Sequence, residues 1–186
     1  CPGRNSYPAL AKPVKYDATK GDDTLRYQDT LLLPGPADQV ITDYAVAKTK
    51  EFYPGVKNPL DMIDKGNKNC ILRDQGLKVA RSEGGRSIGD TLGGYVPGYD
   101  FIHAKSKNGV RCWMPVDGKL VQVPQDEIEK VFYSGCWVRL ILNAFKSSST
   151  GNPGAVFGLQ GVIKVADDNK FGSGGGAGRC GRGEEE

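Results

Sequence analysis

The sequence has few of the residues that metal or covalent chemistry requires. It contains a single histidine, His103, and its five cysteines are scattered along the 186 residues without a C-x-x-C pair. Because this spacing does not build a zinc site, we expect free thiols in a reducing compartment, and neither a metal nor a cofactor. Paired carboxylates such as Asp22–Asp23 and Asp167–Asp168 would suit a two-metal nuclease, but they lie in predicted turns, where such pairs are usually only solvated. We therefore predict that the chain is not an enzyme.

Long hydrophobic runs are also missing. No stretch of about 18 apolar residues occurs, so we expect no membrane-spanning helix, and no signal-peptide pattern is recognised. The net charge is only +3, so a role with nucleic acid requires basic side chains concentrated on one face. We predict one domain at 1–171, followed by a flexible glycine-rich tail at 172–186 that ends in three glutamates.

Alternation of apolar and polar residues dominates the segments that can be interpreted. Strands are predicted at 27–33, 99–105, 110–116, 131–146 and 155–166. Short strands without a repeated strand–helix–strand pattern predict a mainly β fold, which we expect to be an antiparallel barrel of five strands with an inserted helix and long loops.

The inserted helix is predicted at 37–53, after the Pro-Gly-Pro break at 34–36. Its apolar side is predicted to carry Val40, Ile41, Tyr44 and Ala47. Residues 55–97 are rich in Gly, Asn, Asp and Pro and are predicted to form long connections. The glycines of 84–94 do not follow a strand and lack the Lys-Ser/Thr ending of a phosphate-binding loop, so a surface loop is expected there.

Each predicted strand has two sides, and the side opposite the core has an unusual composition. The core sides carry Ile102, Ala104, Val110, Cys112, Met114, Val116, Phe132, Ser134, Cys136, Val138, Leu140, Leu142 and Ala144. The opposite sides carry Tyr99, Phe101, His103, Lys105, Arg111, Trp113, Val131, Tyr133, Gly135, Trp137, Arg139, Ile141, Asn143 and Phe145. A base stacked on an aromatic ring contributes about 1–3 kcal/mol, and neighbouring cations neutralise phosphates. Such a face is typical of proteins that bind single-stranded nucleic acid.

Other interpretations of the same face remain open on alternation alone. The aromatic rings would also pack well under a helix or against a second sheet, and Tyr133 and Trp137 would serve as cross-strand partners that stiffen a barrel. A structural or assembly protein of a virion would bury this face against protein. A nuclease would need a divalent metal and would degrade the strand.

The run 133–174 is the most specific part of the sequence. It opens with Tyr-Ser-Gly-Cys at 133–136, continues as a long alternating strand to Phe145, and passes through the turn Gly-Asn-Pro-Gly at 151–154. These features resemble a phage-encoded family of single-stranded DNA-binding proteins that was long catalogued as a domain of unknown function. Residues 101–106 resemble the family's strand motif, with a histidine where an asparagine is expected. The likeness spans roughly residues 4–174.

The resemblance implies an oligonucleotide/oligosaccharide-binding (OB) fold and non-catalytic, largely sequence-independent binding of single-stranded DNA. It also implies a setting in phage DNA replication or recombination, in the cytoplasm of the bacterial host. The acidic tail is similar to that of phage T7-type single-strand binders, which implies contacts with replication or recombination proteins. Weak binding to duplex DNA is expected as well, because a basic groove attracts any polyphosphate.

The predicted DNA-binding residues divide into two groups according to their chemistry. Bases are expected to stack among Tyr99, Phe101, Trp113, Tyr133, Trp137 and Phe145. Phosphates are expected at Lys105, Lys107, Arg111, Arg139 and Lys146.

Overall fold

The computed structural model describes residues 1–15, 24–37, 39–58, 72–76, 82–83, 86–87, 93–146 and 154–171. The strands are β1 (Gly3–Asn5), β2 (Ala9–Lys15), β3 (Leu25–Leu32), β4 (Arg73–Asp74), β5 (Ser82–Glu83), β6 (Arg86–Ser87), β7 (Asp100–Ser106), β8 (Arg111–Val116), β9 (Lys119–Gln122), β10 (Trp137–Lys146) and β11 (Ala155–Ala166). The helices are α1 (Gln39–Phe52) and α2 (Ile128–Val131). The mainly β class predicted from the sequence is confirmed.

Nine strands form one sheet whose pairings close into a ring. β1 pairs antiparallel with both β3 and β10, β3 pairs with β7, and β10 pairs with β11. The ring closes because β7 pairs with β11. Outside the ring, β2 extends β3, β4 extends β7, and β8 lies on β11 in a hairpin with β9. β11 runs parallel to β7 and β8, so the prediction of purely antiparallel pairing is wrong.

Alternation along the strands fills the interior of the ring. Leu31 lies beside Ile102 and Ala104 beside Phe157, and all four are buried. The predicted core residues that are buried are Ile102, Ala104, Val110, Cys112, Phe132, Cys136 and Val138. Val116 was also predicted to point inward, but it is 42% exposed, because it ends β8 at the tip of the hairpin with β9.

The predicted strand 131–146 begins later than expected. Residues 128–131 form α2, and β10 starts only at Trp137. Gly135 has a φ of 106°, a conformation that side chains with a Cβ rarely adopt, and a Cβ there would clash with the backbone of Asn169. This glycine therefore turns the chain before the strand. The side-chain alternation assumed for 131–136 does not apply.

Helix α1 lies where it was predicted, but its buried side differs in part. Ala45 and Thr49 are buried, whereas Val40 is 77% exposed. The Thr49 hydroxyl donates to the Ala45 carbonyl at 2.8 Å, which satisfies this polar group inside the contact. The helix packs against β10 and β11, where Tyr44 stacks on the ring of Phe157 with centroids 6.1 Å apart. The predicted apolar side is correct for Ile41, which packs against the core, and for Tyr44. It is wrong for Val40 and Ala47, which are exposed.

One carboxyl group lies inside the ring of strands. Asp29 is 1% exposed and is in register with Ala104 on β7. Its Oδ1 accepts the backbone N–H of Thr30 at 2.7 Å, and burial raises its pKa to about 8. Burial and the nearby Asp29 raise the pKa of the Cys112 thiol to about 12. The interior thus favours the protonated forms of both groups.

The long connection is described only in part, and the predicted tail is outside the described residues. The short strands β4, β5 and β6 interrupt the predicted connection 55–97. Most of the glycine-rich segment 84–94 lies outside the described residues, and so does the predicted tail, 172–186.

Candidate nucleic-acid interface

The outward sides of β3 and β7 form the first part of the candidate interface, here called the β3–β7 face. On β3 the buried residues Asp29 and Leu31 point inward, so Gln28 and Thr30 point outward. Thr30 lies beside His103, with Oγ1 and Nδ1 2.9 Å apart. The surface here is polar and half-buried.

Three cations share this face. Lys105 pairs in register with Gln28, and its pKa is lowered by desolvation first and then by the positive charges of Arg26 and Arg73. Arg26 lies two residues before Gln28 on the same side of β3, and Arg73 on β4 is in register with Phe101 of β7, so the three charged groups share this face. A polyphosphate placed there would relieve their repulsion, so the face favours a polyanionic ligand.

Two tyrosines lie beside this basic region. Tyr7 follows β1 with a φ of 50° and is partly exposed. The hydroxyl of Tyr95 lies 3.0 Å from Ser6 Oγ, and its pKa is raised mainly by burial, with smaller effects of Tyr7 and Arg73. Since left-handed backbone is uncommon for a large side chain, its occurrence at a partly exposed tyrosine marks this turn as a candidate contact point.

Phe101 lies on the outward side of β7, as predicted, but it is not exposed. The ring is 1% exposed. Tyr95 packs against it edge-on, with centroids 6.3 Å apart, and the Arg73 guanidinium lies 5.0 Å from its centroid. Alternation points Phe101 outward correctly, but residues from the long connection cover it. A ring so covered has no free surface for a base.

The outward sides of β10 and β11, with part of β8, form the second part, here called the β10–β11 face. Its side chains include Arg111, Trp113, Arg139, Ile141, Asn143, Phe145 and Gln160. β11 contributes glycines: a Cβ at Gly158 would clash with Asn143 and contact Phe145, and one at Gly161 would clash with Trp113. The aromatic rings therefore lie directly against the backbone of β11. Arg111, Arg139 and Phe145 are exposed, and Trp113 is half-buried.

The two faces form one continuous surface. Gln28 is in register with Lys105, Lys105 with Gly158, and Gly158 with Asn143. Neighbouring strands lie about 4.8 Å apart, so this row of four residues crosses the ring over roughly 15 Å. Lys105 is the cation of this row. We call the whole the outer surface.

Tyr133 and Trp137 do not lie on the outer surface but in a separate cluster, here called the terminal clasp: Arg4, Tyr133, Trp137, Asp167 and Asp168. The Tyr133 hydroxyl donates to Asp167 Oδ1 at 2.8 Å, and Trp137 Nε1 donates to Asp168 Oδ2 at 2.8 Å. Arg4 pairs with the same Asp168 carboxylate at 2.9 Å. These two aromatic residues thus pack against protein, which is the alternative that alternation left open.

The clasp is reinforced by further cations and by backbone groups. The Arg4 guanidinium lies 5.8 Å from the Trp137 ring and 4.7 Å from the Phe171 ring, and it donates to the carbonyls of Gly135 and Asn169. The bonds from Lys164 and Tyr133 lower the pKa of Asp167. The clasp joins the first strand to the chain that follows β11.

The remaining predicted residues lie around the outer surface. Tyr99 precedes β7 in a turn, and Lys107 follows β7 at an exposed bend. Lys146 ends β10, with its ammonium 4.6 Å from the centroid of the Tyr53 ring on the segment that follows α1. The predicted residues that the fold brings together on the outer surface are Lys105, Arg111, Trp113, Arg139 and Phe145.

The aromatic and cationic residues of the candidate interface that sequence reasoning missed are Tyr7, Arg26, Arg73 and Tyr95. Period-two alternation along β3 contains enough signal to find Arg26, since it alternates with inward-pointing Tyr27 and Asp29. Arg73 and Tyr95 come from the long connection, which has no periodicity to indicate their orientation.

The described part of the chain contains no cluster of three or more His, Cys, Asp or Glu side chains that would hold a metal ion. No helix among the described residues is long and apolar enough to cross a membrane.

Solved structures of phage proteins share this fold. The single-stranded DNA-binding protein from bacteriophage Enc34, in a C-terminal truncation, is 21% identical with a TM-score of 0.61, covering 91% of this chain and 85% of that one. The same protein in complex with ssDNA gives 19% identity and a TM-score of 0.55, with 92% and 86% covered. Gp2.5, a single-stranded DNA-binding protein encoded by bacteriophage T7, is 16% identical with a TM-score of 0.52, and 91% of each chain is covered.

No curated protein matches the chain by sequence. The family model of the ssDNA-binding protein of Enterobacter phage Enc34 matches residues 4–179, a span close to the one inferred from the sequence motifs. Because this match covers nearly the whole chain and the fold agrees, the protein belongs to the Enc34 family of phage single-stranded DNA-binding proteins.

Proposed function

We propose that this chain binds and protects single-stranded DNA during phage DNA replication or recombination, without catalysis and with little sequence preference. The DNA lies along the outer surface, from the β3–β7 face to the β10–β11 face. Family membership supports single-strand binding over a structural role in the virion. The site of action is the cytoplasm of the bacterial host.

The row Gln28–Lys105–Gly158–Asn143 carries this proposal. It joins the cations of the β3–β7 face to the aromatic side chains of the β10–β11 face in one register. Single-strand binders combine a basic groove that follows the backbone with rings on which bases stack. Both elements occur here on the same side of the ring, at spacings set by strand geometry.

The proposed contacts follow from position on this surface. Phosphates meet Arg26, Arg73, Lys105, Lys107, Arg111, Arg139 and Lys146. Bases stack on Trp113 and Phe145, with Tyr7, Tyr95 and Tyr99 at the other end. Tyr133 and Trp137 hold the terminal clasp instead, and Phe101 supports the β3–β7 face from below.

The architecture proposed for this function is an OB barrel. The five-membered ring of strands would form the barrel, with α1 inserted between β3 and β7, the second and third strands of the ring in chain order. Residues 1–171 would be the binding domain and 172–186 a tail, whose acidic tip contacts replication or recombination proteins. Duplex DNA would bind weakly through the same cations.

A titration of labelled oligo-dT by fluorescence anisotropy tests the proposal. Binding is expected to be tight at about 50 mM salt and to weaken steeply at about 200 mM, because bound phosphates release counterions. Adding magnesium should leave the oligonucleotide intact on a gel. Absence of binding at low salt would overturn the proposal, and magnesium-dependent degradation would indicate a nuclease.

A further inference from the structure

A β-bulge interrupts the pairing of β10 with β11. Ile141 pairs with Gly161, whereas Leu142 pairs with Leu159, which leaves Gln160 as the extra residue. Leu159 is buried and Gln160 is exposed. The bulge therefore places two successive residues of β11, Gln160 and Gly161, on the outer side of the sheet. Bulges often reorient a side chain next to a functional site.

The reoriented glutamine contacts a second amide across the strands. Gln160 Nε2 donates to Asn143 Oδ1 at 3.1 Å, and both side chains are exposed. This bond leaves the Asn143 NH₂ group as a donor and the Gln160 carbonyl as an acceptor at the surface. A nucleobase edge presents an acceptor and a donor side by side, which is the pattern that such a pair of amides complements.

An aromatic ring lies next to the amide pair. Phe145 is two residues beyond Asn143 on β10, so both point to the same side, and Phe145 is 45% exposed. Its ring and the Asn143 amide both lie over Gly158, where a Cβ would meet them. The absence of a side chain on β11 thus allows a stacking surface and a hydrogen-bonding edge to lie side by side.

Cations flank this group on two strands. Lys105 of β7 is in register with Gly158. Exposed Arg139 lies four residues before Asn143, on the same side of β10. A nucleotide whose base rested on Phe145 would therefore have Lys105, which is in register with Gly158, within reach of a neighbouring phosphate. The carboxylates that directly follow β11, Asp167 and Asp168, are bonded in the terminal clasp.

We infer that Phe145, Asn143 and Gln160 form a subsite for one unpaired nucleobase. Phe145 stacks on the base while the two amides hydrogen-bond to its edge. The inference rests on the proposed function and goes beyond it, because it introduces a modest base preference at one position of an otherwise sequence-tolerant path. Ring stacking supplies most of the affinity and the amides supply the discrimination.

The test compares the full chain with variants, using labelled oligo-dT, oligo-dC and oligo-dA in anisotropy titrations. Phe145→Ala should weaken binding to all three by about tenfold. The double substitution Asn143→Ala with Gln160→Ala should bring the three affinities, which we expect to differ by about threefold or more in the wild type, to within about 1.5-fold. Neither change alters charge, so the salt dependence should be unaffected.

Matched controls separate this subsite from general effects. Leu120→Ala removes another exposed apolar side chain, on β9, and Gln39→Ala removes an exposed amide that also has a side-chain partner, Asp43. Both should bind all three oligonucleotides like the wild type. Photocrosslinking with a 5-iododeoxyuridine oligonucleotide, followed by mass spectrometry, should identify the peptide that contains Phe145. Circular dichroism establishes that each variant is folded.

The outcomes distinguish the subsite from the proposed function. If the wild type binds but Phe145→Ala and the double variant match it, the subsite is wrong while single-strand binding stands. A loss of affinity in Phe145→Ala with an unchanged spread in the double variant would refute base-edge recognition by the amides. Absence of binding by the wild type at low salt would overturn the proposed function and the subsite together.

Discussion

The outer surface and the terminal clasp contain the same kinds of side chain, yet their surroundings differ. Both combine aromatic rings with arginine and lysine. In the clasp, Asp167 and Asp168 accept from Tyr133, Trp137 and Arg4. On the outer surface, no carboxylate of the described residues forms an ion pair with Arg111 or Arg139. Aromatic content therefore does not distinguish a structural cluster from a candidate binding surface. The distinguishing feature is whether carboxylates pair with the aromatic and basic side chains.

The buried carboxyl group of Asp29, which forms no ion pair with a described residue, provides the strongest contrast with the clasp carboxylates. Its removal has the largest expected effect on stability. Asp29 has a folded pKa of about 8 and an unfolded value near 4, so the folded protein binds the extra proton. The contribution of Asp29 to stability is therefore greatest below about pH 4 and falls by about 5 kcal/mol as the pH rises to 8, at about 1.4 kcal/mol for each pKa unit. About 3–4 kcal/mol of this fall lies between pH 5 and 8. Asp29→Asn should remove most of this fall, as measured by urea unfolding between pH 5 and 8.

The control for this prediction is Asp117→Asn. Asp117 is exposed in the β8–β9 turn with a φ of 48°, which asparagine accommodates. The control should keep the wild-type pH dependence. An equal pH dependence in Asp29→Asn and the wild type would show that this carboxyl group is ionised in the folded protein.

The clasp should determine stability and have little effect on DNA affinity. Trp137→Ala removes a half-buried ring, its hydrogen bond to Asp168 and its contact with Arg4. We expect a loss of about 2–3 kcal/mol in the free energy of unfolding and less than a twofold change in affinity for oligo-dT. A tenfold loss of affinity at unchanged stability would place Trp137 among the stacking residues.

Substitutions on the outer surface should reduce DNA affinity and have less effect on stability. Trp113→Ala removes a ring that lies over Gly161 beside Arg111, and should weaken binding to oligo-dT by about tenfold. The melting temperature should fall less than in Trp137→Ala, since no hydrogen bond to the Trp113 indole is found among the described residues. The two tryptophan variants, measured side by side, test the comparison directly, and equal losses of affinity in both would refute it.

The smallest expected effect concerns the charges of the β3–β7 face. Lys105→Ala should reduce the slope of log affinity against log salt by about 1, because one phosphate contact is lost. Lys119→Ala, which removes an exposed lysine from β9, serves as the control and should leave the slope unchanged. An unchanged slope in Lys105→Ala would move the phosphate path away from β7.

Parts of this fold were predictable because they depend on local pattern. Period-two alternation located β3, β7, β8 and β11 nearly residue by residue, and a proline break with helical spacing located α1. The burial of Ala45 and Thr49 on α1 was not predictable from hydrophobicity, because it results from close packing of the helix against β10 and β11. Phe101 was misplaced for a similar reason: alternation gives its side correctly, but Tyr95 and Arg73, distant in sequence, cover that side.

The sequence by itself determined the segments of β3, β7, β8, β11 and most of β10, with the inward and outward residues of these strands. It also determined the presence of basic and aromatic side chains on the outward sides, and the family. These follow from local geometry and from motifs. Only the tertiary structure decided which outward side chains share a surface. Register joins Lys105 to Gly158 and Asn143, while the chain after β11 returns to bond Tyr133 and Trp137. Both depend on contacts between residues far apart in the chain, which no local pattern encodes.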